Sequence, residues 1–203
     1  VSSLYGGEAG ELDTYIEAPQ TTSILVYDAD ASTPQTKLQN YLVVAGGLSG
    51  TTPEDLEPNT KLELFKLADA EGNLSKVGST VELSKYGFSI ANAMLDDNGN
   101  SVCYFVGGKT APESTTQSIS FISFVGDTIS TLTETAVELP NFVHTRSAIV
   151  KVGTVKYLCV VGNISDLDSR LIVFPISADG SISNATKIEI NYPTETGIYN
   201  FIK

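Results

Sequence analysis

The 203-residue chain contains no tryptophan, one methionine, one histidine and two cysteines. A single histidine, His144, excludes zinc or copper centres that need several imidazoles. Cysteines at 103 and 159 do not form a C-x-x-C pair, so no zinc-type thiolate spacing exists. No apolar run approaches the roughly 20 residues of a membrane-spanning helix, so membrane insertion is not expected. Helical periodicity of useful length is missing throughout, as are a G-x-S-x-G elbow and a P-loop. The first ten residues, VSSLYGGEAG, lack the basic and apolar regions of a signal peptide. A chain starting at Val1 in place of Met is expected to have been processed or trimmed. Basic residues are scarce as well: 12 against 24 acidic ones, a formal charge of −12. That surface repels nucleic acid and anionic membranes; it aids solubility and would attract cations or basic partners.

What is present is a repeat. YLVVAGG (residues 41–47) returns as VCYFVGG (102–108) and as YLCVVGN (157–163). The first glycines, Gly46, Gly107 and Gly162, stand 61 and 55 residues apart, a period typical of a propeller blade. Around each run the other strands recur. First strands are expected at 23–29, 88–95 and 146–152, and third strands at 61–67, 118–124 and 170–176. Fourth strands centre on Val81-Glu82-Leu83, Val137-Glu138-Leu139 and Ile188-Glu189-Ile190. Glycine-bearing turns, among them DDNGN (96–100), KVGTV (151–155) and SADGSI (177–182), join them as hairpins. The uninterrupted second strands fit strands covered on both faces, whereas the alternation of KLELFKL fits one buried face. Residues 1–19 read as the second half of a unit, and GIYNFIK (197–203) as the first strand of another.

The expected fold is therefore all-β: a β-propeller of four-stranded antiparallel blades, about three full blades and two partial ones. The chain forms a single segment with repeats at 1–19 (partial), 20–84, 85–140, 141–193 and 194–203 (partial). The missing strands are expected from sequence beyond these residues or from another chain, because open blades expose edges and apolar faces. Aligned on the glycines, Cys103 and Cys159 fall one register step apart and on opposite faces, which predicts two buried thiols and no disulfide.

The glycine-pair strand ends, with HTRSAIVKVG preceding YLCVVGN, resemble the kelch-repeat β-propeller family across almost the whole chain. The glycine pair becomes Gly162-Asn163 in the third copy, and Phe65, Phe121 and Phe174 stand where the family carries other aromatics, including its usual tryptophan. The resemblance implies binding through the loops at 48–60, 109–117 and 163–169, together with 141–145. It also admits two enzyme classes. The copper-radical oxidases of this fold need more histidines than the chain has; a sugar-acting enzyme similar to kelch-fold mutarotases would use His144, Arg146, Asp166 and Asp168.

Those four residues are the ligand-binding candidates, and an ordinary histidine with a surface ion pair is the simpler reading of them. Asp28 and Asp30 offer hard oxygen ligands of the calcium type, as does the 96–100 turn, but neither completes an EF-hand and both are ordinary turn formers. Beyond a calcium ion no cofactor is expected. Asn73, Asn163 and Asn184 match the N-glycosylation pattern, which has meaning only in a eukaryotic secreted protein. These readings lead to a non-enzymatic binding or scaffolding module that presents loops to a protein or glycan. A sugar-acting enzyme, or a structural subunit polymerising through open blade edges, is the alternative. The Ser- and Thr-rich loops favour an extracellular or cell-surface setting over the cytoplasm.

Overall fold

A computed structural model describes residues 3–4, 15–17, 20–27, 38–50, 52, 54–67, 73–94, 101–111, 114, 117–125, 128–142, 144–165 and 168–193. The fold is all-β, built of antiparallel sheets none of which closes on itself. Strands β1 (Ser3–Leu4), β2 (Tyr15–Glu17), β5 (Leu48–Gly50) and β6 (Glu57–Pro58) form one small sheet, in the order β1-β2-β5-β6. The second sheet runs β3 (Gln20–Tyr27), β4 (Leu38–Ala45), β7 (Lys61–Leu67), β8 (Leu74–Glu82). The third runs β9 (Tyr86–Met94), β10 (Ser101–Lys109), β11 (Gln117–Val125), with β12 (Thr128–Ile129) and β13 (Thr133–Leu139) sharing the far edge of β11. The last runs β14 (His144–Val152), β15 (Val155–Ser165), β16 (Asp168–Ile176), β17 (Ile188–Pro193).

Local chemistry accounts for these boundaries. β4 is apolar from Tyr41 to Ala45 and ends at its glycine pair, whereas β10 runs on through its own pair to Lys109. Both pairs take the left-handed conformation, with φ of 68° and 79° at Gly46 and Gly47 and 75° and 84° at Gly107 and Gly108. The expected turn at 151–155 is a two-residue hairpin: Val152 pairs with Val155, and Gly153 has φ 60°. In the 177–182 turn the Asp179 carboxylate accepts from the Ser181 amide and hydroxyl, which holds its pKa below the usual carboxylate range.

The sheets stack face to face, and the side-chain period of two divides the core between them. From β10, Val102, Tyr104 and Val106 pack with Leu158, Val160, Ile172 and Phe174 of the last sheet. Alternate residues Cys103 and Phe105 point the other way, into Tyr41, Val43, Leu62 and Leu64 of the second sheet. The third sheet is thus covered on both faces, and residues 101–108 are all buried. Burial of large side chains such as Phe105 or Phe174 supplies about 1.5–3 kcal/mol each. The first strands β3, β9 and β14 lie side by side, and the Ser89 and Ser147 hydroxyls meet at 2.8 Å across the β9–β14 junction. The Tyr104 hydroxyl donates to the Gly180 carbonyl at 2.8 Å, tying the third sheet to the last hairpin; burial raises its pKa.

Cys103 and Cys159 are free and occupy opposite parities, as the register argument expects; Cys103 is buried, Cys159 only half-buried. One sequence expectation needs correction: residues 48–60 are not a plain loop but contain β5 and β6. The N-terminal strands pair with each other and then with that segment: Ser3 lies opposite Glu17, and β2 pairs with β5, with Tyr15 opposite Gly50 and Glu17 opposite Leu48. Such pairing between distant segments leaves no local pattern to read. Fourth strands are longer than their apolar–Glu–apolar centres, β8 beginning at Leu74 and β13 at Thr133. The expected strand at 197–203 and the turn at 96–100 lie outside the described residues.

Candidate functional site

The glycine-ended strands meet the entry strands of the neighbouring sheet at one rim, and a cleft opens there. It measures about 230 Å3 and is lined by Gly46, Gly47, Leu48, Pro58, Tyr86, Gly87 and Phe88. Two glycine pairs build it. A Cβ on Gly46 would stand 2.8 Å from the tip of the Phe88 ring, so only glycine lets that ring seat against the end of β4. A Cβ on Gly108 would stand 2.7 Å from the Tyr86 carbonyl, so the second pair backs the other aromatic. Phe88 is further held edge-on by Phe105, ring centroids 5.4 Å apart.

Asn59 pins the near wall. Its amide nitrogen donates to the Gly47 carbonyl at 2.9 Å, its Nδ2 donates to the Gly46 carbonyl at 3.0 Å, and its Oδ1 accepts from the Lys61 amide at 3.0 Å. This buried side chain replaces the ladder that the left-handed glycines interrupt. Tyr86 is half-buried, and Leu48, Pro58 and Gly87 are exposed, so the cleft is open to solvent. No carboxylate, imidazole or amine lines it.

The sequence candidates sit elsewhere. His144 and Arg146 open β14; in register, His144 lies opposite Asn163 and Arg146 opposite Val161. The Arg146 guanidinium donates from Nη1 to the Thr145 carbonyl at 3.0 Å. Asp168 belongs to another group: Arg170 binds it through Nη2 at 3.2 Å and reaches Glu189 through Nη1 at 2.8 Å, and these two carboxylates raise the Arg170 pKa. Along β16, Asp168 and Arg170 share the parity of Ile172 and Phe174, which face the third sheet, whereas Arg146 shares the opposite face with Val161. Arg146 and Asp168 therefore do not converge. Asp166 and the His144 side chain lie outside the described residues, as do Asp28 and Asp30. Among the described residues no three His, Cys, Asp or Glu side chains group as metal ligands.

Of the glycosylation candidates, Asn73 and Asn184 are exposed. Asn163 is buried in β15 and accepts from the Ser169 hydroxyl at 3.0 Å, away from the surface a glycan needs. Sequence reasoning found the 48–60 side of the cleft and missed Tyr86 and Phe88. The Tyr-Gly-Phe entry to β9, facing a glycine pair one repeat earlier, is the signal that would have marked them. Compared with protein-family models, with curated proteins and with solved structures, the chain matches none.

Proposed function

We propose that this chain is a non-enzymatic binding module of kelch-like propeller type, which holds a protein or glycan partner at the glycine-ended rim. Three successive antiparallel sheets, stacked face to face with their first strands adjacent, support the propeller arrangement. In this reading the three sheets are blades and the missing strands come from further sequence or another chain. The partner is met outside the cell or at its surface.

The lining of the cleft carries the binding reading. Half-buried Tyr86, exposed Pro58 and Leu48 and glycine backbone offer apolar and aromatic surface over the buried Phe88 ring, and no carboxylate, imidazole or amine lines it. A volume of about 230 Å3 accepts one ring, such as the C–H face of a neutral sugar or a proline side chain. Aromatic side chains bind such rings by stacking at little cost in conformational entropy. The test is retention of the labelled chain on panels of immobilised neutral oligosaccharides and proline-containing peptides. Retention by members of one panel, lost on Tyr86→Ala, is the expected result. Retention by neither panel, or retention that Tyr86→Ala leaves unchanged, refutes the reading.

A further inference from the structure

Among the described residues, one face of the last sheet packs into the core and the other does not. Leu158, Val160, Ile172 and Phe174 enter the core shared with β9–β13. On the opposite face, Val150, Val152, Val155, Ile188 and Ile190 are between 40 % and 63 % exposed. They are five of the eight exposed large apolar side chains among the described residues, and they share one sheet. The register joins them into a continuous surface: Cys159 lies between Ala148 and Val173, and Val173 pairs with Ile188, while Val161 and Leu171 link Arg146 to Ile190. Isolated exposed valines are ordinary; a contiguous apolar sheet face marks an interface.

Charge separates this face from the rest of the surface. The chain carries 24 acidic residues, yet none of the described residues on this face is Asp or Glu, and its one charged side chain is Arg146 at the rim. Asp168, Arg170 and Glu189 all project on the other side. Two copies of a chain at −12 repel each other over most approaches. Through this face they can meet without opposing carboxylates.

We infer that the outer face of the β14–β17 sheet is a self-association surface that packs on the same face of a second copy, sheet on sheet, about a two-fold axis. Sheet-on-sheet packing is also how this chain buries both faces of β10. Four strands about 4.8 Å apart and about eight residues long cover roughly 19 by 26 Å, or about 500 Å2 on each copy. Two copies together reach about 1,000 Å2, the lower bound for a specific contact, so the dimer is concentration-dependent. This inference is independent of the aromatic cleft, and it takes a second copy of the chain, not further sequence, as what covers this face.

Light scattering on the purified chain across a wide concentration range tests it. The expected mass rises from 21.6 kDa to twice that value and stops there. Val150→Lys and Ile190→Lys, each at an exposed position, abolish the rise while circular dichroism stays native. Maleimide labelling of the unaltered chain needs no variant: Cys159 on this face reacts more slowly as concentration rises, and buried Cys103 stays unreactive throughout. A monomer at every concentration, growth beyond two copies, or a dimer indifferent to both lysines overturns the inference. So does Cys159 labelling that ignores concentration.

Discussion

Lys85 sits in the short link between β8 and β9 with 2 % of its surface exposed, and its ammonium donates to the carbonyls of Phe105 at 2.9 Å and Ser118 at 3.3 Å. Burial lowers its pKa from 10.5 to about 8, with Glu134 partly offsetting the drop. The unfolded chain therefore holds this proton more tightly than the folded one. At neutral pH both states are charged and the fold carries the cost of the buried ammonium. As the pH rises from about 8 towards 10.5 the folded protein sheds the proton first and gains stability. The full shift corresponds to about 3 kcal/mol, of which about 1 kcal/mol appears between pH 7 and 9. Neutral lysine keeps two N–H donors, so both carbonyls stay satisfied. The buried Cys103 thiol works in the opposite sense: its raised pKa means that stability is lost once the unfolded thiol ionises near pH 9. Urea unfolding of the chain beside Lys85→Met cancels that contribution, since both proteins keep Cys103. The stability of the unaltered chain relative to Lys85→Met should climb by about 1 kcal/mol from pH 7 to 9. A difference that stays flat over this range refutes the reasoning.

Glycine seats give a second set of outcomes. A Cβ at Gly162 would have three ring carbons of buried Phe142 no more than 2.7 Å away, so Gly162→Ala should cost about 1–3 kcal/mol in urea unfolding. Gly153→Ala meets no neighbour and should lose only the cost of its left-handed φ of 60°, about 1 kcal/mol. Alanine at Arg146 should leave retention on the ligand panels unchanged, because this residue opens β14 away from the residues that line the cleft. Arg170→Met should remove the Asp168–Arg170–Glu189 cluster with little change in melting temperature, since partly exposed ion pairs contribute about 0–1 kcal/mol.

Periodicity of two and glycine punctuation made the strands legible, because each second strand is an apolar run that reaches a glycine; β4 stops there, while β10 and β15 run on to Lys109 and Ser165. The opposite orientation of Cys103 and Cys159 followed from register alone. Spatial convergence was not legible. His144, Arg146, Asp166 and Asp168 cluster in sequence near one rim, but a single register step separates the face of Arg146 from that of Asp168, and Arg170 captures the latter. The pairing of β2 with β5 depends on segments more than thirty residues apart. In β15 the unbroken apolar run predicts cover on both faces; Leu158 and Val160 have it, while the neighbours of Cys159 remain open. The cleft escaped notice because glycine and aromatic residues there read first as turn and core.

Chemical-shift mapping of the 21.6 kDa chain during titration with a retained oligosaccharide or proline peptide tests the central claim most directly. The account predicts saturable shifts at the amides of Gly46, Gly47, Leu48 and Gly87, with those of Asn163 and Asp168 unmoved. Shifts that spare the glycine corner and gather at His144, Arg146 and Asp168 would contradict it.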